Sequence, residues 1–366
     1  MKEETDAVAH EGYHWRTQPG RFFEGWYFRL TLPKIAQSFA FMYSIDDPAG
    51  GGDHSGGAAQ ILGPNLAGET EAYLCRTFPE TNLFWAWPHR LGFGHWRRHV
   101  DQIDRASQHT KARYLSPDSF LESVWEGYQI GANRHVGRLR SPAGNTEAEW
   151  DFHIEPVATW GANQATAGWL SYLPVFEPGW QVLLAHGLAS GYVRWQEKDY
   201  IFEKVPTYAE KNWGGAFPSK WFWIQCNAFE QSSELSVTAV GGIREVLVWR
   251  ENVGLIGIHY QGVFYEFFST KTQFSWRVDP WGYWQLTATD HHYRVVLTGR
   301  SKGEGAWVRV PTREGLQWRC RDTTHGKLRL RLSRIEDNQI IVEATSELAG
   351  LEVGGGPWDS PWIIRS

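Results

Sequence analysis

Cysteine is scarce: Cys75, Cys226 and Cys320 are the only three in a chain of 366 residues. Odd in number and widely spaced, they make neither a disulfide framework nor a CxxC metal pair, and they read as buried, reduced thiols. A basic surplus is also lacking. The formal net charge is -5 and the pI is near 6.3, so there is no electrostatic case for a nucleic-acid partner. The densest basic runs, Arg97-Arg98 and Lys327-x-Arg329-x-Arg331, are short, and the second reads as the solvated face of a strand. No apolar run approaches the roughly 18 to 20 residues of a spanning helix. The amino-terminal MKEETDAVAHEG is acidic and has no apolar centre, unlike a secretory signal or an Arg-rich transit peptide, so a cytoplasmic protein or a mature form is expected.

Common catalytic signatures are missing as well. Gly50-Gly-Gly-Asp-His-Ser-Gly-Gly57 is neither a phosphate-binding loop nor a dinucleotide fingerprint, and Gly187-Leu-Ala-Ser-Gly191 places its serine one position too late for a nucleophile elbow. His95 and His99 have helical i, i+4 spacing, but the Glu of HExxH is absent and Gly92 and Gly94 oppose a helix. No metal and no cofactor are expected.

What the chain has in excess is aromatic rings: 22 Trp, 19 Phe and 14 Tyr. Any core or cavity will be lined by flat, polarizable faces, suited to a large apolar ligand or to sugar stacking. Apolar and polar residues alternate in Lys327–Leu332, Tyr293–Leu297 and Ser236–Val240, the period of half-buried strands. Turn clusters such as DDPAGGG (46–52) and SPAGN (141–145) punctuate them. The one good helix signal is SPDSFLESVW (116–125), with a capping Ser before a Pro. The class is mainly β, sandwich or barrel. Length suggests about two domains, and RFFEGWYF (21–28) is echoed by SKWFWI (219–224), as two similar β units in tandem would produce.

Two carboxylates sit within the aromatic runs, Glu24 in FFEGWYF and Glu210 in YAEKNWGG. Each could be a buried acid satisfied by the backbone or by a partner such as Lys211 or Arg21. Each could also be a proton donor, because burial in a dry pocket disfavours the charged form and raises the pKa. Asp46 and Asp47 belong to a strong turn signal and read as structural.

RFFEGWYFRLTLP, YLCRTFPETNLFWAWPHRLGFGHW, AGWLSYLPVFEPGWQVLLAHGLASGYV, YAEKNWGGAFPSKWFWIQCNAF, LIGIHYQGVFYEF, DPWGYWQLTA and LEVGGGPW together resemble the tocopherol cyclase family, from about His14 to Trp362. The resemblance implies cofactor-free closure of the chromanol ring: a phenol hydroxyl adds across the nearest prenyl double bond of a phytyl-substituted methylhydroquinone. The expected substrate is 2,3-dimethyl-6-phytyl-1,4-benzoquinol or its monomethyl analogue. A more distant likeness, to carotenoid hydratases with two lipocalin-like barrels, matches their E-W-W-Y motif at Glu24-Gly-Trp-Tyr27, with Gly for Trp. It matches their D-H-x-W-G motif at Glu210-Lys-Asn-Trp-Gly214, with Glu for Asp and Lys for His. That likeness implies two tandem lipocalin-like antiparallel barrels with few short helices, the first over residues 1–205 and the second over 206–366.

On this reading Glu210 is the acid that protonates the alkene, with Lys211 and Asn212 setting its protonation and orientation and Glu24 as partner or alternative. The base for the phenol proton is Glu24, His259 or Tyr265. Trp26, Tyr27, Phe41, Tyr43, Trp169, Phe176, Trp213, Trp221 and Trp223 are the expected substrate-binding rings. A peripheral contact with a thylakoid-type internal membrane would deliver the substrate, and no obligate protein partner is implied. The rival readings are a prenyl-lipid carrier, which has no use for a buried acid, and a glycoside hydrolase with paired Glu and stacking Trp.

Overall fold

The computed structural model describes residues 7–18, 20–68, 71–98, 114–172, 178–246 and 249–365, and these fold mostly as antiparallel sheet. A first sheet comprises β1 (Phe23–Leu32), β2 (Gln37–Asp46), β3 (Gly56–Pro64), β4 (Glu71–Phe78), β5 (Phe84–Ala86), β6 (Gly92–Arg98), β7 (Val124–Gly131), β8 (Arg134–Arg140), β9 (Thr146–Ala158), β10 (Gly179–Trp195) and β11 (Lys198–Gly214). A second comprises β12 (Lys220–Cys226), β13 (Leu235–Val246), β14 (Trp249–Tyr260), β15 (Val263–Phe268), β16 (Gln273–Val278), β17 (Tyr283–Thr289), β18 (Tyr293–Arg300), β19 (Ala306–Thr312), β20 (Gly315–Arg334), β21 (Ile340–Gly355) and β22 (Trp362–Ile364).

The spatial order is β4-β3-β2-β1-β11-β10-β9-β8-β7-β6-β5 in the first sheet and β15-β14-β13-β12-β21-β20-β18-β17-β16-β22 in the second, with β19 pairing β20. Each half therefore opens on a Trp-bearing strand, β1 or β12, that lies between a three-strand meander and a long late strand. The echo between RFFEGWYF and SKWFWI is this shared position. The chain crosses from one sheet to the other between Gly214 and Lys220, so the strand carrying Glu210 belongs wholly to the first sheet.

Both sheets curl. β1 and β6 are separated by five strands in the first sheet, yet the rings of Trp26 and Phe93 stack at 4.0 Å. β12 and β16 are likewise far apart in the second, yet Phe222 meets Trp276 at 5.3 Å. Each sheet closes on a packed interior, and the expected class, mainly β with two tandem barrels, is the one observed. The only α-helix among the described residues is α1 (Pro117–Ser123), where the Ser116 side chain accepts from the Ser119 N–H as the capping signal required. His95 lies in β6 rather than on a helix, its Nε2 2.9 Å from the Glu80 carbonyl, while His99 lies outside the described residues. All three cysteines are free thiols, Cys226 and Cys320 being buried and Cys75 half-buried. No helix among the described residues is long and apolar enough to cross a membrane.

Strand alternation decides what faces where. On β1, Glu24, Trp26, Phe28 and Leu30 point into the first barrel, leaving Gly25, Tyr27 and Arg29 on its outer surface. On β12, Phe222 and Ile224 point into the second barrel, leaving Trp221, Trp223 and Gln225 outside. The two outer surfaces are pressed together. Arg29 crosses between them: Nη1 donates to Gln225 Oε1 at 2.9 Å, and Nη2 to the carbonyls of Thr324 at 2.9 Å and Leu348 at 2.7 Å. With Arg29 buried, truncating it strands these acceptors without water. Arg29→Met is expected to lower the thermal unfolding midpoint, with a loss on the order of 3 kcal/mol. A melt that superimposes on wild type would contradict this account of the interface.

Candidate active site

Between the barrels lies a half-open, mostly apolar cavity of about 240 Å³. One wall is formed by Tyr27, Met42, Trp180, Glu210 and Asn212 of the first barrel. Trp221, Trp223, Leu255, Val308, Val310 and Glu352 of the second form the other. The barrel interiors are filled by their own rings, such as Phe41 against Trp150 at 5.3 Å, so the space lies where the outer faces meet.

Glu210 is the centre of that space. It is only 7 % exposed, and three donors converge on one oxygen. The Tyr208 hydroxyl donates to Oε2 at 2.6 Å, and the indole N–H groups of Trp180 and Trp223 donate to the same atom at 3.0 Å each. None of the hydrogen bonds found for Glu210 goes to Oε1, which is therefore the oxygen placed to carry a proton. Burial pushes the carboxyl from its ordinary 4.5 up to about 7, against the pull of its three donors and with a further push from Glu352. Near neutral pH the group is thus divided between acid and carboxylate. Burial and the neighbouring Glu210 hold the Tyr208 phenol well above its usual range, so it stays a donor.

Lys211 and Glu24 are on the other side of the same strands. In the β1–β11 pairing Tyr27 lies opposite Glu210, whereas Trp26 lies opposite Lys211 and Glu24 opposite Trp213. Lys211 and Glu24 form a fully buried ion pair inside the first barrel. The amino-terminal segment seals it: the His14 backbone N–H donates to Glu24 Oε2 at 2.8 Å, and Lys211 Nζ donates to the Gly12 carbonyl at 2.7 Å. Burial alone would raise Glu24, but Lys211 and His14 hold it below the usual carboxylate range. Glu24 is therefore an ionised structural partner, not a donor facing the cavity, and Lys211 does not touch Glu210. The alternation that delivers Glu210 outward turns residue 211 inward. Arg21 is engaged elsewhere, with Asp46 at 2.6 Å, and Asp47 accepts from Ser55, so both aspartates are tied into the turn as expected.

The other candidates divide in the same way. Tyr27, Asn212, Trp221 and Trp223 border the cavity. Trp26 and Tyr43 border it too, but their rings stack in the first barrel, on Phe93 and against Tyr128. Phe41 is wholly in that core. Trp213 stacks on His14 at 3.9 Å beneath the amino-terminal segment. Trp169 is 72 % exposed on a short turn of helix, Gly168–Tyr172, at the cavity margin, and Phe176 lies outside the described residues. His259 and Tyr265 are not in the site. The cavity touches β14 at Val253–Leu255, and His259 is four residues further on, roughly 13 Å along an extended strand. It stacks on Phe264 at 4.5 Å, and burial, then His186, lowers it to about 4. Tyr265 packs edge-on against Tyr293 at 5.0 Å.

Sequence reasoning missed Glu352 and Asp322. Glu352 accepts a hydrogen bond from the Trp221 indole and borders the cavity, and Asp322 lies opposite it in the β20–β21 pairing. The signal available was LEVGGGPW. Gly354 pairs with Trp221, and a Cβ there would lie 2.0 Å from the indole, so the glycine is what lets the ring lie flat against β21 beside Glu352.

A family model described as tocopherol cyclase-like matches residues 20–355. A probable chloroplastic tocopherol cyclase of rice (Oryza sativa subsp. japonica) is 37 % identical over 97 % of this chain and 80 % of its own. The chloroplastic tocopherol cyclase of maize (Zea mays) is also 37 % identical, over 97 % of this chain and 79 % of its own. The chain belongs to the tocopherol cyclase-like family. These relatives are enzymes by name, and the family match spans both barrels and so both walls of the cavity. Among solved structures, kievitone hydratase from Nectria haematococca aligns over 93 % of this chain and 90 % of that one, with a TM-score of 0.48 at 9 % identity.

The raised Glu210 carboxyl also has a consequence for stability. Because its folded value lies above its ordinary one, its contribution is fully present below about 4.5 and is lost as pH rises through about 7. The full difference is on the order of 3 kcal/mol. Glu210→Gln should remove this term, so the variant gains thermal stability relative to wild type between pH 5 and 8. Parallel melting profiles across that range would show that Glu210 is not held as the acid.

Proposed function

We propose that the chain is a tocopherol cyclase that converts a phytyl-substituted methylhydroquinone to a γ- or δ-tocopherol, an intramolecular addition of the isomerase class. The observation that carries the reading is Glu210: a carboxyl whose pKa is raised in an apolar cavity, with one oxygen fixed by three donors, in a chain 37 % identical to named cyclases.

The difficult step is protonation of a trisubstituted alkene, which produces a tertiary cation. Glu210 Oε1–H supplies the proton to the less substituted carbon. The indole faces of Trp180, Trp221 and Trp223 attract the positive charge that develops beside them. The apolar walls keep out water that would trap the cation as an alcohol. The phenol oxygen then closes the ring, and no electron changes hands. A general acid contributes about 10²- to 10⁴-fold. The rest of the acceleration comes from folding the prenyl chain so that oxygen and alkene meet in a preformed pocket.

The substrate comes from a lipid bilayer, and the helical turn Gly168–Tyr172 is placed to meet one. Trp169 and Tyr172, 72 % and 64 % exposed, flank Ser171, which borders the cavity. Paired aromatics with apolar bodies and polar edges suit the headgroup boundary, and this reading makes the turn the contact through which a membrane feeds the cleft.

Incubating purified protein with 2,3-dimethyl-6-phytyl-1,4-benzoquinol and assaying for γ-tocopherol tests the activity. Wild type is expected to make it, with kcat falling as pH rises through about 7 because the acid form of Glu210 is consumed. Glu210→Gln should bind the quinol but lose at least about 100-fold in kcat. Binding without conversion by wild type would identify a lipid carrier instead. For the membrane contact, the double variant Trp169→Ser, Tyr172→Ser should turn over vesicle-embedded quinol about five-fold more slowly while keeping its rate on detergent-dispersed quinol. Equal losses in both formats would count against the contact.

A further inference from the structure

Ring closure releases a phenol proton, and the groups expected to take it, Glu24, His259 and Tyr265, are all outside the cavity. We propose that Glu352, on β21 of the second barrel, is the base that accepts the phenol proton. The inference rests on the cyclase reading and extends it to a second catalytic residue.

Position is the first argument. Among the described residues bordering the cavity, Glu210 and Glu352 are the two carboxylates, one from each barrel. Glu352 lies opposite Trp223 in the β12–β21 pairing, and the Trp223 indole donates to Glu210. The acid and the base thus flank one tryptophan. In the substrate the phenol oxygen and the alkene carbon that it attacks are joined through a short tether, so the two protein groups must share one compartment. These two do.

The charge state is the second. Glu352 and Asp322 face each other across β20 and β21, and burial forbids both from being ionised. Glu352 has donors: the Trp221 indole, and the Cys320 thiol. Asp322 has weaker support: neither of its buried oxygens is met by a side-chain donor among the described residues, and only the Thr323 backbone N–H favours its charged form by hydrogen bonding. The proton therefore favours Asp322 and the negative charge Glu352, where the N–H and S–H donors oppose the burial that raises its carboxyl above the ordinary range. Burial and then Glu352 drive Asp322 well above its ordinary range, although Arg29 opposes them. The groups facing Glu352 are Asp322 and Cys320 of β20, Trp221 and Trp223 of β12, Glu210 of β11 and Tyr27 of β1. None of these is a cation; Arg29 acts on Asp322, and Arg309 is a further cation in the cavity lining. Its charge is also one cause of the raised Glu210 value, so the base helps to keep the acid protonated.

The step balances. The C=C π pair takes the proton as the Glu210 O–H breaks, forming the C–H bond; an oxygen lone pair forms the C–O bond as the phenol O–H gives its proton to Glu352, which ends protonated with Glu210 ionised. After product leaves, water in the opened cavity returns the proton from Glu352 to Glu210. No oxidant or reductant is required.

Two measurements on Glu352→Gln test the assignment. The first is kcat for ring closure of the quinol. The second is deuterium uptake from D2O by the quinol's phenol methyl ether, which can be protonated on the alkene by Glu210 but has no O–H to give up. The expected result is at least a 100-fold loss of ring closure with deuterium uptake retained, whereas Glu210→Gln loses both. Ring closure within two-fold of wild type would overturn the proposal. Loss of deuterium uptake as well would overturn it too, since Glu352 would then only position Glu210, as would a methyl ether that wild type leaves unexchanged. If Glu352→Gln does not fold, as judged by near-ultraviolet circular dichroism, Glu352→Asp keeps the charge and withdraws it by one methylene. Ring closure slowed at least ten-fold with uptake intact supports the base, and unchanged ring closure rejects it. Wild-type protein that makes no tocopherol at all would instead overturn the cyclase reading.

Discussion

The guanidinium of Arg29 is the constraint on which the rest of the molecule depends. It is buried at the junction of the two barrels, and its hydrogen bonds go to neutral acceptors: a glutamine, a serine and two backbone carbonyls. Desolvating a cation is costly, and it is tolerated only where fixed dipoles replace the lost water. Apart from Ser38 of β2, the acceptors belong to β12 and to the β20 and β21 segments of the second barrel, while the cation belongs to β1 of the first. Any slippage between the barrels would break several of these bonds together. The interface therefore behaves as a built joint, and the cavity that it encloses has walls of fixed spacing.

That rigidity matters because the donors that hold Glu210 come from both sides of the joint. Tyr208 and Trp180 reach it from the first barrel and Trp223 from the second. The acid is thus assembled by docking, and its raised pKa depends on the dryness that docking creates. One residue along the strand, the environment reverses. Lys211 and Glu24 neutralise each other inside the first barrel, sealed by Gly12 and His14. The two faces of β11 hold a carboxyl of raised pKa and a closed ion pair, and the backbone between them keeps the lysine from lowering that pKa. Were Lys211 on the outer face, Glu210 would be an ordinary paired carboxylate and useless as a proton donor.

Much of this was legible in the sequence because it is local. Alternation and turn chemistry gave the β class, the Ser116 cap gave the helix, and the repeated Trp-rich strand gave the tandem halves. The conflict between Glu210 and its aromatic surroundings marked it as a buried carboxyl. What could not be read was which face of each strand meets a core and which meets the other barrel. Period two separates Glu210 from Lys211 but assigns neither to a side. Both barrels bury their inner faces, and the junction buries part of the outer ones, so Trp26 and Tyr27 look equally suited to a cavity. Glu352 was passed over for a related reason, although LEVGGGPW marked its strand. Its environment is made by Trp221, Cys320 and Asp322, residues distant in the chain, and only the pairing of β21 with β12 and β20 brings them together. His259 failed on length: a promising motif can extend several residues beyond the point where its strand leaves the site.

Placing the site between two barrels rather than within one also answers the problem set by the ligand. A closed barrel interior packed with Phe and Trp has no room for a long isoprenoid chain unless its core is given up, and that core holds each half together. The junction has no such obligation. Its walls carry Val253, Leu255, Phe268, Val308 and Val310, which offer a mostly apolar track with Arg309 at its border, while the two carboxylates are Glu210 and Glu352. A prenylated quinol entering tail along the track brings its polar head to the polar end by solvation alone, because reversing it would bury the hydroxyls against aliphatic side chains with no partner. Orientation then follows from where the fold places its few polar groups. In the proposed reaction the alkene nearest the ring is then the one presented to Glu210, since it is the one tied closest to the head.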